Sequence, residues 1–275
     1  MRSLPLLDLR LLHHPNRYAA PASPTRTAPN TNKPMASRCS SPPPATGCQS
    51  FGYEETEPHF EEWPLRLPYP PPMTTPLSTR SFGDFLDQLA SKTPTPGGGA
   101  VASAVGALGT ALGDMVLAYS FGKKKLAEHE PKLHEASAKL SRARMMLLEL
   151  AAEDEAAYGL VNELSKLPRD DPRRADLPAA TLAAARVPLA CMAACASVLR
   201  LLDTLPGITN THIHSDLAIA AILAEAAARS AGWNVRVNLP GIADAQERES
   251  LTRECEQLLT ASTELAGRVE RACRG

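Results

Sequence analysis

Polar and apolar positions along this chain follow two regimes. Up to about residue 76 neither a period of 2 nor one of 3.6 persists. From residue 78 onward apolar residues recur three and four apart between charged ones, the spacing of helices that bury one face. Ser81-Phe-Gly-Asp84 has the form of a capping box with Asp in place of Glu. It opens a helix to about Ser91, lined on one side by Phe82, Phe85, Leu86 and Leu89. Thr93 to Gly99 interrupts that pattern. From Ala100 to about Phe121 runs an apolar stretch of 22 residues whose only charge is Asp114. Gly122-Lys123-Lys124-Lys125 then predicts a helix end with a cationic last turn, which the helix dipole favours. A long helix is expected from Pro131 to Lys166, with apolar positions at Leu133, Leu140, Met146, Leu147, Leu150 and Leu164. Another is expected from Ala179 to Leu205, and a third from Asp216 to Ala231 with Ser215 as its N-cap. The run WNVRVNLPGI reads as irregular, and a charged amphipathic helix from Asp244 to about residue 272 packs on the outside.

Composition sharpens this into a fold class. Aromatic residues make up 4% of the chain, and an Ala-rich, aromatic-poor body argues against an extensive sheet. Residues 78–275 therefore read as one all-α domain, a helical bundle with a long buried central helix. Residues 1–77 form a Pro/Ser-rich low-complexity tail, with 16 of the 25 prolines falling in residues 1–76. Over residues 1–50 six Lys or Arg face one acid, Asp8, the composition of an organellar transit peptide. A disordered tail, or a true start at Met73, explains the same stretch. The expected location is the cytoplasm, or an organelle if the tail is a genuine transit peptide. A net charge of −1 gives no electrostatic reason for a nucleic-acid partner. The 22-residue stretch is long enough to span a bilayer, but Gly106, Gly109 and Gly113 suggest a helix crossed closely by neighbours, so no membrane role is expected. Six cysteines form no CxxC pair, and Cys191 and Cys195, four apart, read as small core residues.

Candidate chemistry is sparse. The run PTPGGGA, residues 94–100, has neither the glycine spacing nor the Lys-Ser/Thr of a phosphate loop. Bare glycine amides at a helix start still suit an anion or a developing oxyanion. His212-Ile-His214-Ser-Asp216 is the most metal-like cluster, yet no His follows it, so loop capping or substrate contact is the expected role and no metal is expected. Asp154 lies between Glu153 and Glu155, and spacing alone leaves such acids solvated. Asp114, inside an apolar helix, is the other carboxyl candidate, because a buried acid needs a partner or a proton. Lys123 to Lys125 suit either a solvated turn or a polyanionic substrate.

Taken in order, PTPGGGAVASAVGALGTALGDMV, GKKK, DEAAY, VPL at Val187–Leu189, N-x4-SDLAIAA from Asn210 and NVRVNLPGIAD to Asp244 resemble the cyclodeaminase/cyclohydrolase family. Its members include the C-terminal domain of formiminotransferase-cyclodeaminase and stand-alone methenyltetrahydrofolate cyclohydrolases. The resemblance covers roughly residues 80–272 and none of the tail. It implies an all-α homodimer that binds a tetrahydrofolate derivative, with or without a polyglutamate tail, near the subunit interface. No cofactor beyond that substrate is implied. The activity implied is 5,10-methenyltetrahydrofolate cyclohydrolase or formiminotetrahydrofolate cyclodeaminase, and the absence of a formiminotransferase segment from these 275 residues tilts the expectation toward the first. The acid/base aspartate of the family falls on Asp154, opening the D-x-x-A-Y motif that ends at Tyr158. Gly97, Gly98 and Gly99 match its substrate-facing loop, and Lys123 and Lys124 suit the glutamate tail. Asn210, Ser215, Asp216, Asn234, Asn238 and Asp244 match positions near its pocket. Thr209 departs from the glycine that commonly precedes the position of Asn210. The rival reading is a non-catalytic helical dimer that binds a folate or a protein partner.

Overall fold

Two of the six α-helices among the described residues, the first and the last, start where the N-cap side chain accepts from their free amides. In a computed structural model that describes residues 76–274, all within the compact unit Phe60–Gly275, the six are α1 (Phe82–Leu89), α2 (Gly98–Ala118), α3 (Glu130–Lys166), α4 (Leu177–Asp203), α5 (His214–Asn238) and α6 (Ala245–Cys273). Ser81 caps α1, its Oγ accepting from the Asp84 amide and donating to the Asp84 carboxylate. Asp244 caps α6 by accepting from the amides of Gln246 and Glu247. α3 and α4 carry a proline in their first turn, where the missing N–H costs nothing. The expected all-α class holds. The readings of residues 1–72, Met73, Cys39 and Cys48 lie outside the described residues.

α2 runs through the middle of the bundle, antiparallel to α3 and α5 and parallel to α4. Gly109 explains how it fits: a Cβ there would come within 2.9 Å of the Ala220 carbonyl and 3.0 Å of Leu223 Cβ, so the α2 and α5 backbones touch. Two apolar clusters stack along α2. One gathers Ala102, Leu147, Leu150, Met192, Ala231 and Val235; the other gathers Val116, Leu140, Leu199, Leu217 and Val269. Among the described residues two helices are long and apolar enough to cross a membrane, Gly98–Ala118 and Pro172–Asp203, and 56% and 72% of their apolar windows are buried inside this bundle.

Four expectations are corrected. α2 ends at Ala118, and the lysines are not its last turn; Gly122, at φ +68, redirects the chain, and Lys124 opens a 3-10 turn to His129. Ser215 is not an N-cap, since α5 begins at His214 and Asn210 caps the 3-10 turn Thr211–Ile213 before it. The Asn-rich run WNVRVN is helical: α5 continues through Gly232 to Asn238 because Ala231, Gly232 and Val235 are buried, and that packing outweighs the roughly 1 kcal/mol glycine penalty. In α1 only Phe85 is fully buried, while Phe82 and Leu86 are 63% and 46% exposed.

Proline 188 sits inside α4, where it removes the amide that would bond the Ala184 carbonyl. The Asn238 side chain supplies the missing donor, its Nδ2 lying 2.9 Å from Ala184 O and 2.8 Å from Asn234 O. The motifs VPL and NVRVN are thus two halves of one structural repair.

Candidate active site at the start of the central helix

The N-cap of α2 is Gly97, which has no side chain to satisfy the helix amides. The Asp154 carboxylate of α3 does so from across the bundle, accepting a hydrogen bond from the Ala100 amide. The approach is so close that a Cβ on Gly99 would fall inside the carboxyl group. This is the steric reason for glycine there. Gly98 is exposed, with Asn234 3.4 Å from where its Cβ would stand, and a Cβ on Gly97 would make only an ordinary contact, 3.9 Å from the Pro94 carbonyl. Of three consecutive glycines, Gly99 is the one the geometry demands.

Two opposing effects act on this carboxyl. Burial disfavours the anion and raises its pKa, while the Ala100 amide at the positive end of α2 lowers it; nearby Glu155 raises it again. Burial wins, and Asp154 is pushed up to about 6. An acid poised there is half ionised at about pH 6 and still keeps a protonated fraction at neutral pH, so it can take a proton and return it within one turnover. Tyr158, one helical turn on, is 46% exposed. On the side of the bundle interior stand the buried Ser103 of α2 and the free Cys191 of α4; the Cys191 thiol is hydrogen-bonded to Cys195 and Ser103 and feels the Asp154 charge.

Glu155 has a different environment. It is 3% exposed and grips Arg80 at two points, both 3.3 Å, in an ion pair whose Arg80 side chain is 6% exposed. Sequence spacing suggested a solvated acidic run, and Arg80 carried no signal at all. The Asn238–Ala184 bond, by contrast, was findable: a proline within a helical pattern announces an orphaned carbonyl four residues earlier.

The remaining candidates divide. Asn234 joins the Asp154 end through Gly98, while Asn238 and Asp244 hold helix backbone by the bonds given above. Asn210 lies at the opposite end of α2: its amide donates to Ser120 Oγ, its Nδ2 to the Tyr119 carbonyl, and its Oδ1 accepts from His212. Ser215 and Asp216 occupy the first turn of α5 at that same end, and Lys123 and Lys124 follow α2 on exposed turns. The 21 residues of α2 separate the two groups by about 30 Å, so a single chain does not bring them together. Asp114, the alternative carboxyl, is held by Ser137 Oγ at 2.6 Å and Ser141 Oγ at 3.3 Å, with Arg144 at 3.9 Å, which makes it an α2–α3 tie. His214 Nε2 is 3.4 Å from Thr209 Oγ1, and among the described residues no group of three or more His, Cys, Asp or Glu is arranged to hold a metal.

Comparison with known proteins meets this geometry. The family model described as formiminotransferase-cyclodeaminase matches residues 81–257. A methenyltetrahydrofolate cyclohydrolase of Methylorubrum extorquens is 37% identical over 190 residues, covering 67% of this chain and 91% of that protein. The formimidoyltransferase-cyclodeaminase of Sus scrofa is 31% identical over 202 residues, 68% of this chain, but the chain spans only 36% of that longer protein. The crystal structure of formiminotetrahydrofolate cyclodeaminase from Thermotoga maritima superposes with a TM-score of 0.68 at 30% identity, covering 72% of this chain and 98% of that one. On sequence and fold together, the chain belongs to the formiminotransferase-cyclodeaminase family.

Proposed function

We propose that this protein is a folate one-carbon enzyme that opens 5,10-methenyltetrahydrofolate with Asp154 as its acid/base. The observation that carries the reading is the Asp154 carboxyl, pushed up to about 6 and seated against Gly99 at the start of α2. In the proposed step the ionised carboxyl accepts a proton from the water that adds to the methenyl carbon. The resulting hydroxyl-bearing tetrahedral centre breaks one carbon–nitrogen bond as the carboxylic acid returns the proton to the departing ring nitrogen, and the hydroxyl proton is released to solvent as the formyl C=O forms. Formyltetrahydrofolate leaves, and the carboxylate is restored. The exposed end of α2 offers its first amides to negative charge developing on oxygen. Tyr158 offers a face for the pterin.

Cyclodeamination is the second reading, supported by the match to the Thermotoga cyclodeaminase over nearly all of that chain. The greater identity to the stand-alone cyclohydrolase favours ring opening. One assay separates them: supply 5,10-methenyl- and 5-formiminotetrahydrofolate in turn and follow methenyl absorbance and ammonia. Loss of methenyl absorbance without ammonia from either substrate is expected. Ammonia release as the faster reaction would transfer the reading to cyclodeaminase, and no change with either would leave a folate-binding dimer.

The working unit in this proposal is a homodimer. α2 and α5 lie side by side, and Leu108, Ile219 and Ile222 near their shared midpoint are 52%, 46% and 44% exposed, with Trp233 and Val237 further along α5 at 72% and 73%. A two-fold pairing across this face would set the Lys123–Asn210 end of one copy beside the Asp154 end of the other. That is what a folate with an anionic tail would need. Sedimentation of Ile222→Glu tests it: a monomer without activity is expected, and a fully active monomer would remove the dimer from the proposal.

A further inference from the structure

Glu155 is the immediate neighbour of Asp154, and among the described residues it has one cationic partner. Arg80 lies just before α1 and just outside the matched family region, which begins at residue 81. Its guanidinium meets both Glu155 oxygens and stands 5.9 Å above the Phe85 ring. Phe85 in turn packs with Ala100 and Ala151, backed by Leu77 and Leu89. Ala100 donates its amide to Asp154, and Ala151 lies on α3 three residues before it. The segment Leu77–Leu89 is therefore fastened over the α2–α3 crossing that holds the reacting carboxyl, and its polar fastening is the Arg80 fork on Glu155.

We infer that Arg80 is a positioning residue for proton transfer at Asp154: by holding and neutralising Glu155, it keeps a second carboxylate from acting on the first. This rests on the reading of Asp154 as acid/base. A buried ion pair is weak evidence for stability in itself, because desolvation consumes most of the Coulomb gain. Breaking it leaves a buried charge, and here that charge would lie beside the working group. A bidentate guanidinium suits the task better than an ammonium, because the planar fork fixes the carboxylate as well as neutralising it. Among the described residues, the groups shown acting on Asp154 are Glu155 on its own helix and the neutral Ala100 amide from α2, with the Cys191 thiol of α4 feeling its charge and Glu153 next to it in the chain. Arg80, reached through Glu155, brings a cation to this arrangement.

The test is the pH profile of methenyltetrahydrofolate ring opening in full-length Arg80→Met, Arg80→Lys, Glu155→Gln and Arg80→Met/Glu155→Gln proteins. Loss of the cation leaves Glu155 unneutralised, so the acidic limb of Arg80→Met is expected to move up by about one pH unit. Glu155→Gln removes the carboxylate and keeps the cation, so its limb moves down. The double variant returns close to the wild-type limb. Arg80→Lys retains the limb and loses kcat, because the charge stays and the fork does not. If Arg80→Met fails to fold, the downward shift in Glu155→Gln and the kcat loss at a fixed limb in Arg80→Lys must still appear. Limbs that coincide in all folded variants, with activity tracking thermal stability, would overturn the inference. Asp154→Asn separates the two claims: near-normal turnover in that variant defeats the acid/base reading itself, whereas an inactive Asp154→Asn with unmoved limbs defeats only the role of Arg80.

Discussion

The two ends of α2 carry similar kinds of residue and have opposite characters. At the far end, Asn210, Ser120, Tyr119 and His212 satisfy one another through hydrogen bonds of 3.0–3.4 Å, and Lys123 and Lys124 lie on exposed turns. Around Gly99, an acid is buried against a helix start, accepts one backbone bond and has a second acid as neighbour. One end is polar structure at rest. At the other, burial is set against charge, and a displaced pKa is the result. The contrast separates polar side chains whose bonds go to backbone, as those of Asn238 and Asn210 do, from a carboxyl held against its own burial.

The largest effect should come from filling the one space the active end cannot spare. Gly99→Ala is expected to displace the Asp154 carboxyl and lower kcat by roughly 100-fold, the scale of a 1 Å misplacement. Gly97→Ala, whose Cβ would make only an ordinary contact with the Pro94 carbonyl at 3.9 Å, should stay within a few-fold by the same criterion. Steady-state kinetics of the pair checks this, and equal losses would mean that the glycines act through loop flexibility instead.

A smaller effect is expected from the structural repair between α4 and α5. Asn238→Ala should cost about 1–2 kcal/mol in denaturant unfolding by orphaning the Ala184 carbonyl, with kcat unchanged in the folded protein. In a Pro188→Ala background, where the backbone amide is restored, the same change should cost much less. Additive losses would break the link between the two motifs. The smallest effect belongs to the far end: Lys124→Ala should raise KM a few-fold for a polyglutamylated folate and leave kcat alone, as loss of an exposed charge contact implies. No selectivity between mono- and polyglutamate would remove the lysines from the proposed substrate path.

Much of the fold was legible because its signals are local. The Ser81 and Asp244 caps, the glycine stripe of α2 and the apolar spacing of α3 each act within a few residues. What was hidden depends on contacts distant in sequence. Helix α5 runs through Gly232 because Leu259 and Met192 pack on it, and nothing near Trp233 announces that. At the site, the glycine run and Asp154 were both visible, but only the crossing of α2 and α3 shows that Gly99 is required by Asp154. Arg80, 75 residues from Glu155, gave no local sign at all.

The pKa of Asp154 also has a consequence for stability, and its sign is opposite to that of an ordinary paired acid. The folded state holds this proton more tightly than the unfolded chain, so the stabilising contribution is full below pH 3.8 and is lost as pH rises through about 6. Asp154→Asn should therefore melt higher than wild type at neutral pH while losing turnover, as expected where activity is maintained at the expense of stability.

In the proposed mechanism, burial against α2 holds the Asp154 carboxyl ready to exchange a proton at about pH 6. The most direct measurement is the carboxyl carbon-13 resonance of Asp154 in the free protein, assigned by its absence in Asp154→Asn and followed through a pH titration. The account predicts a midpoint of about 6. A midpoint near the ordinary 3.8 would contradict it.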